Sequence, residues 1–127
     1  MKFKLDHIHF RCQDLEAAID FYQKMFGAEV TARSVVQGRQ LVRLKIGDGY
    51  LFLSPQEEGA RVEPLSANPR WGIYELGFAV DDTYQAMKEL KAKGAEFIQE
   101  AFEIRPGVQV AFMKAPDGVK IEILHRD

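Results

Sequence analysis

The run Asp6-His7-Ile8-His9-Phe10-Arg11-Cys12 alternates two imidazoles and a guanidinium with apolar residues. Strict alternation is the pattern of a β-strand with unlike faces. His7, His9 and Arg11 then share the polar face. Two further strand candidates place a carboxylate by the same rule. In 73–80, Glu75 shares a face with Gly77 and Ala79. In 119–124, Glu122 shares a face with Lys120 and Leu124. His7, Glu75 and Glu122 are thus three candidate metal ligands on three strands. A His-Glu-Glu set suits Mn²⁺, Fe²⁺, Ni²⁺ or Zn²⁺ and leaves positions open for substrate oxygens. Two carboxylates on one dication also make it a weaker Lewis acid. Without a cation the same carboxylates would repel, and one would hold a proton. The bland counterpart is a wet concave face whose carboxylates pair with Arg11, His9 or Lys120.

Other side chains on these faces suit a ligand. His9 is a substrate contact, a support for His7, or a polar residue satisfied within the face. Arg11 suits anion recognition or a structural ion pair with Glu75 or Glu122. Tyr50 and Phe52, on a strand at 50–54, either meet an apolar part of a substrate or fill core. Trp71 either closes over a site or buries an interface. Gly77 and Ala79 keep the surface near Glu75 low and leave room for a ligand.

These strands need helices to cover their oily faces, and the chain supplies two. After Asp14, a fitting N-cap, Leu15, Ala18, Ile19, Tyr22, Met25 and Phe26 recur at helical spacing, and Gly27 follows as a stop. Strands are expected at 29–36, 40–46 and 50–54, with "GDG" at 47–49 as a turn. The second half repeats the plan. The strand 73–80 precedes a helix that starts at Asp81, Asp82 or Thr83, carries the stripe Tyr84, Met87, Leu90, and ends at Gly94. Strands follow near 97–101, 108–114 and 119–124, with "PDG" at 116–118 as the turn. "GAEV" at 27–30 answers "GAEF" at 94–97, and the copies lie 67 to 70 residues apart. Such a repeat is an architectural signal. The expected fold is α+β, one domain of two tandem β-α-β-β-β modules building a cleft-bearing mixed sheet. Module one covers about 1–54 and module two about 71–127. The stretch 55–70, rich in Pro and charge, reads as linker. No periodicity constrains 55–70 or 102–108.

The chain of 127 residues carries a net charge near −2, without the basic patch that nucleic acid or an anionic membrane demands. No apolar run suits a signal peptide or a membrane span, so a cytoplasmic location is expected. The single cysteine, Cys12, sits on the oily face and reads as a small buried hydrophobe. No P-loop, Rossmann glycine pattern, paired-cysteine motif or Ser-His-Asp order is present, which argues against a nucleotide cofactor and covalent Ser or Cys catalysis.

"LDHIHFRCQDLEAAIDFYQKMFGAEV" and "APDGVKIEIL" resemble the two signature ends of the vicinal oxygen chelate superfamily, which includes glyoxalase I, extradiol dioxygenases and the bleomycin resistance proteins. The resemblance covers nearly the whole chain. It implies the glyoxalase/bleomycin resistance/dioxygenase fold and a homodimer. It implies His7, Glu75 and Glu122 as metal ligands, with a fourth place held here by Phe52. It also implies that Arg11 grips a carboxylate of a glutathione adduct. The activity implied is a glyoxalase I-like lyase or isomerase acting through an enediolate, with Glu122 or Glu75 as general base. The alternative is a metal-free binding protein of the bleomycin-resistance type, holding a small molecule between Tyr50, Phe52 and Trp71. Ring-cleaving dioxygenase activity is a third reading, weakened by the glutamate at 75.

Overall fold

The computed structural model describes residues 1–57, 59 and 72–127. The elements are β1 (Ile8–Cys12), α1 (Leu15–Phe26), β2 (Glu29–Val36), β3 (Arg39–Ile46), β4 (Gly49–Pro55), β5 (Leu76–Ala79), α2 (Thr83–Ala92), β6 (Phe97–Arg105), β7 (Val108–Lys114) and β8 (Lys120–Arg126), with a 3-10 turn at Pro116–Gly118. They form two compact units, Met1–Val62 and Glu63–Asp127. The mixed sheet expected from the sequence is two four-stranded mixed sheets, one in each unit.

In the first unit the strand order is β1-β4-β3-β2. β1 runs parallel to β4, and the other pairs are antiparallel. A parallel pair needs a crossover, and α1 begins it. The Asp14 side chain accepts from the Ala17 amide at 3.0 Å. Gly27 stops the helix with φ 66°, a conformation that disfavours side chains. The buried stripe is Leu15, Ala18, Ile19, Tyr22 and Met25. Cys12, Val42, Leu44, Leu51 and Leu53 complete this core. Burying each large apolar side chain contributes about 1.5–3 kcal/mol.

The second unit repeats the topology as β5-β8-β7-β6, with β5 parallel to β8. Asp82 is the cap of α2, accepting from the Gln85 amide at 3.0 Å. The core here is Leu90, Val110, Ala111, Met113, Val119, Ile121, Ile123 and Leu124.

Three expectations change. The strand foreseen at 73–80 is only Leu76–Ala79, because its pairing with β8 runs from Leu76↔Ile121 to Ala79↔Leu124. Ile73 and Tyr74 lie ahead of it and are exposed. On α2 the stripe passes through Thr83, Met87 and Leu90, and Tyr84 is exposed. Thr83 takes the inner place because its hydroxyl donates to the Gln109 carbonyl at 2.9 Å. Finally, β6 extends to Arg105 across much of the stretch expected as loop. Register shifts against β7 interrupt its alternation, which hides the strand in the sequence.

Candidate functional site

In the first unit, β1, β4 and β3 set His9, Phe52 and Arg43 side by side, as the register pairs His9↔Phe52 and Arg43↔Phe52 show. Leu51 and Leu53 turn the other way into the core. His7, one residue ahead of β1, stacks on Phe52 with ring centroids 3.9 Å apart. Its Nδ1 lies 2.7 Å from an Asp6 carboxylate oxygen. His9 meets the edge of Phe52 at 6.3 Å. The His9 Nε2 shares a hydrogen bond of 2.7 Å with the buried Ser54 hydroxyl. Burial, then the charges of Arg11 and His7, push the His9 imidazole below its ordinary pKa. His9 is therefore neutral at pH 7.

Within its own unit, Arg11 pairs with Glu57, at 3.5 Å. Glu57 is shared with Arg39 at 2.7 Å. Tyr50 is covered by the Arg43 guanidinium, 4.5 Å from the ring centroid. Arg43 is steered there at the register shift between Val30 and Ala32, where its Nε donates to the Thr31 hydroxyl at 3.1 Å.

In the second unit, Glu122 on β8 stands between Gly77 and Phe112 in register. A Cβ on Gly77 would meet only the Leu124 side chain, at 3.7 Å, so packing alone does not demand glycine there. The protonated Glu122 carboxyl donates to Glu75. That hydrogen bond, then burial and the negative charge of Glu75, raise Glu122 to about 7, against weaker opposition from Arg126 and Lys120. Glu122 therefore keeps its proton into the neutral range. Lys120 Nζ lies 3.3 Å from Glu75. It stands 3.5 Å from the Tyr74 ring centroid and 5.0 Å from that of Phe112.

The candidate metal ligands fall on both units, His7 on the first and Glu75 with Glu122 on the second. Among the described residues of either unit, no three His, Cys, Asp or Glu side chains gather to hold an ion. The donor chemistry nevertheless fits a dication. Glu122 holds a proton beside Glu75 and could exchange it for a metal. A carboxylate on Nδ1, as Asp6 is for His7, is the partner that orients an imidazole toward a metal. Phe52 offers no donor. Trp71 and most of the expected linker lie outside the described residues.

Sequence reasoning did not assign roles to Ser54, Glu57 or Arg39, and named Lys120 as one of three candidate partners of the carboxylates; the structure pairs it with Glu75. Alternation along β8 puts Lys120 on the Glu122 face, so its place was open to view. Glu57 lies past the end of β4, where no periodicity points to Arg11.

No helix among the described residues is long and apolar enough to cross a membrane. The family model described as the Glyoxalase/Bleomycin resistance protein/Dioxygenase superfamily matches residues 4–123. The chain is 32% identical over 131 residues to the lactoylglutathione lyase of Escherichia coli O157:H7, covering 95% of this chain and 91% of that protein. It is 30% identical over 131 residues to the lactoylglutathione lyase of Neisseria meningitidis serogroup A / serotype 4A, covering 97% and 91%. In fold it is similar to the glyoxalase family protein from Enterococcus faecalis, with a TM-score of 0.81, 20% identity and coverage of 95% and 96%. It is similar also to glyoxalase I from Zea mays, with a TM-score of 0.78, 24% identity, and coverage of 94% of this chain and 43% of that one. The chain belongs to the glyoxalase/bleomycin resistance protein/dioxygenase superfamily.

Proposed function

We propose that the chain is a glyoxalase I-like lyase or isomerase that moves a proton between neighbouring carbons of a small oxygenated substrate. The observation that carries this reading is the Glu75–Glu122 pair. In the metal-free pair, with a pKa near 7, Glu122 is close to half-protonated at neutral pH. A general base works best under that condition, since it must both take and return a proton. The ionised Glu122 takes the proton from a carbon beside a carbonyl. The protonated Glu122 gives it to the adjacent carbon, and the intervening species is an enediolate. Glu75, hydrogen-bonded to Glu122, holds that carboxyl in place.

A divalent ion, Ni²⁺, Zn²⁺, Mn²⁺ or Fe²⁺, would be held by Glu75 and Glu122, with His7 as the further ligand that the resemblance implies. It would supply electrophilic stabilisation of negative charge on the substrate oxygens. Arg11 would release Glu57 to hold an anionic tail of the substrate. His9, Tyr50 and Phe52 would offer the aromatic surface beside it, with Trp71 as a further contact. The reading includes a homodimer and places the protein in the cytoplasm.

Relatives named lactoylglutathione lyase support the substrate class. The test is to incubate lactoylglutathione with the metal-supplemented protein in D2O and follow the proton on its hydroxyl-bearing carbon by NMR. Loss of that signal with the wild type, and its persistence with Glu122→Gln, is expected. Tight binding with no exchange would replace the enzyme with the binding-protein reading, which the apolar Phe52 against His7 favours.

A further inference from the structure

We propose that Lys120 is a positioning residue that limits metal loading, its ammonium acting as a built-in cation on Glu75. This rests on the reading that a divalent ion binds the Glu75–Glu122 pair.

Lys120 is not a loose surface lysine. It is the first residue of β8, and its backbone is paired with Lys114 of β7. Its side chain is only 19% exposed and that of Glu75 23%. An ion pair so withdrawn from water is less screened than one on an open surface. The ammonium is 3.3 Å from Glu75 and 3.5 Å from the centre of the Tyr74 ring, with Phe112 at 5.0 Å. Aromatic faces attract a cation and hold it in place. The contacts come from two segments, the residues ahead of β5 and the strand β7. Moving the ammonium aside breaks all of them together.

A dication binding Glu75 meets this ammonium in one of two ways. It displaces Lys120 and forfeits the contacts to Tyr74 and Phe112, or it binds beside a like charge. Either course weakens binding. At an effective dielectric near 20, unit charges about 4 Å apart repel strongly enough to change affinity by about a thousandfold, so even a largely relieved repulsion changes it by about tenfold. Lys120 therefore sets how readily the acid pair takes up metal.

The experiment titrates Mn²⁺ into wild-type protein, Lys120→Met, Lys120→Arg and Glu122→Gln, reading free Mn²⁺ by electron paramagnetic resonance. Methionine keeps an apolar stem over Tyr74 and removes the charge; Lys120→Gln replaces it if that variant does not fold. The expected result is binding about tenfold tighter in the uncharged variant, wild-type affinity in Lys120→Arg, and loss of binding in Glu122→Gln. A purely structural role for Lys120 would weaken binding in the uncharged variant, and that result overturns the proposal, as does unchanged affinity. Both outcomes leave the acid pair standing as a metal site, provided that Glu122→Gln abolishes binding. If neither wild type nor the uncharged variant binds Mn²⁺, the metal part of the proposed function falls and Lys120's role falls with it.

Discussion

His7 lies flat on Phe52, with ring planes 12° apart and centroids separated by 3.9 Å. The equivalent pair in the second unit is Glu75 and Glu122. Equivalence follows from the parallel registers: Ile8 pairs with Leu51 and His9 with Phe52, as Leu76 pairs with Ile121 and Gly77 with Glu122. One unit thus joins an imidazole to a ring, and the other joins two carboxyls. Phe52→Glu would restore a donor beside His7. Divalent-ion affinity is expected to rise about tenfold, by analogy with the effect of a single well-placed ligand partner. Calorimetric titration with Zn²⁺ checks this, and an unchanged constant would remove the His7–Phe52 place from metal binding.

Proton transfer should follow the state of Glu122. In wild type, kcat/KM for exchange is expected to rise with pH as Glu122 ionises, and to level off at a lower pH once metal is bound than the value near 7 of the metal-free pair, because a dication on the pair opposes protonation. Glu122→Gln should lose about 10²–10⁴-fold in kcat with little change in KM, the usual share of a general base. A variant that keeps its rate and its pH profile would assign the proton to another group.

Stability should also respond to pH, with two groups pulling in opposite senses. The folded pKa of Glu122 is raised from 4.5 to about 7. Its contribution is therefore complete below 4.5 and is lost as pH rises toward 7. The folded pKa of His9 is lowered from 6.5. Its contribution is present above 6.5 and is lost as pH falls through the depressed value. Urea midpoints between pH 4 and 8 check both. Glu122→Gln should flatten the loss on the rising side, and His9→Gln should flatten the loss on the falling side.

The helix caps are paired in the same way. Asp14→Ala and Asp82→Ala each remove a side-chain acceptor 3.0 Å from a first-turn amide. Each should cost about 1 kcal/mol in urea unfolding. Leu53→Ala and Ile121→Ala, which empty fully buried places in the two sheets, should cost about 2–5 kcal/mol each. Cap losses much below those of the core variants are expected; equal losses would contradict this account.

The features that local chemistry dictates were legible before any coordinates. Asp14 and Gly27 mark the ends of α1 because capping needs only neighbours in sequence, and the same logic narrowed the start of α2 to Asp81, Asp82 or Thr83, of which Asp82 is the cap. Alternation likewise placed Glu122 and Lys120 on one face and Ile121 on the other. What escaped depends on pairing across the chain. The short β5, the bulged β6 and the inward turn of Thr83 are set by partners far away in sequence. The same holds for Glu57 reaching Arg11, and for the hydrogen bond to Glu75 that raises the Glu122 carboxyl. A strand pattern says which way a carboxyl points, and not what it touches.

The matching registers of the two sheets have an evolutionary consequence. Positions 7, 52, 75 and 122 occupy equivalent sockets, while the packing of each unit rests on neighbours such as Leu51, Leu53, Ile121 and Ile123. Replacing a socket residue leaves the hydrophobic framework untouched. Equivalent positions can thus carry different chemistry in the two halves, as His7 with Phe52 and Glu75 with Glu122 do. Folding and chemistry are recorded on opposite sides of the same strands, so new activities can be sampled here without loss of the scaffold.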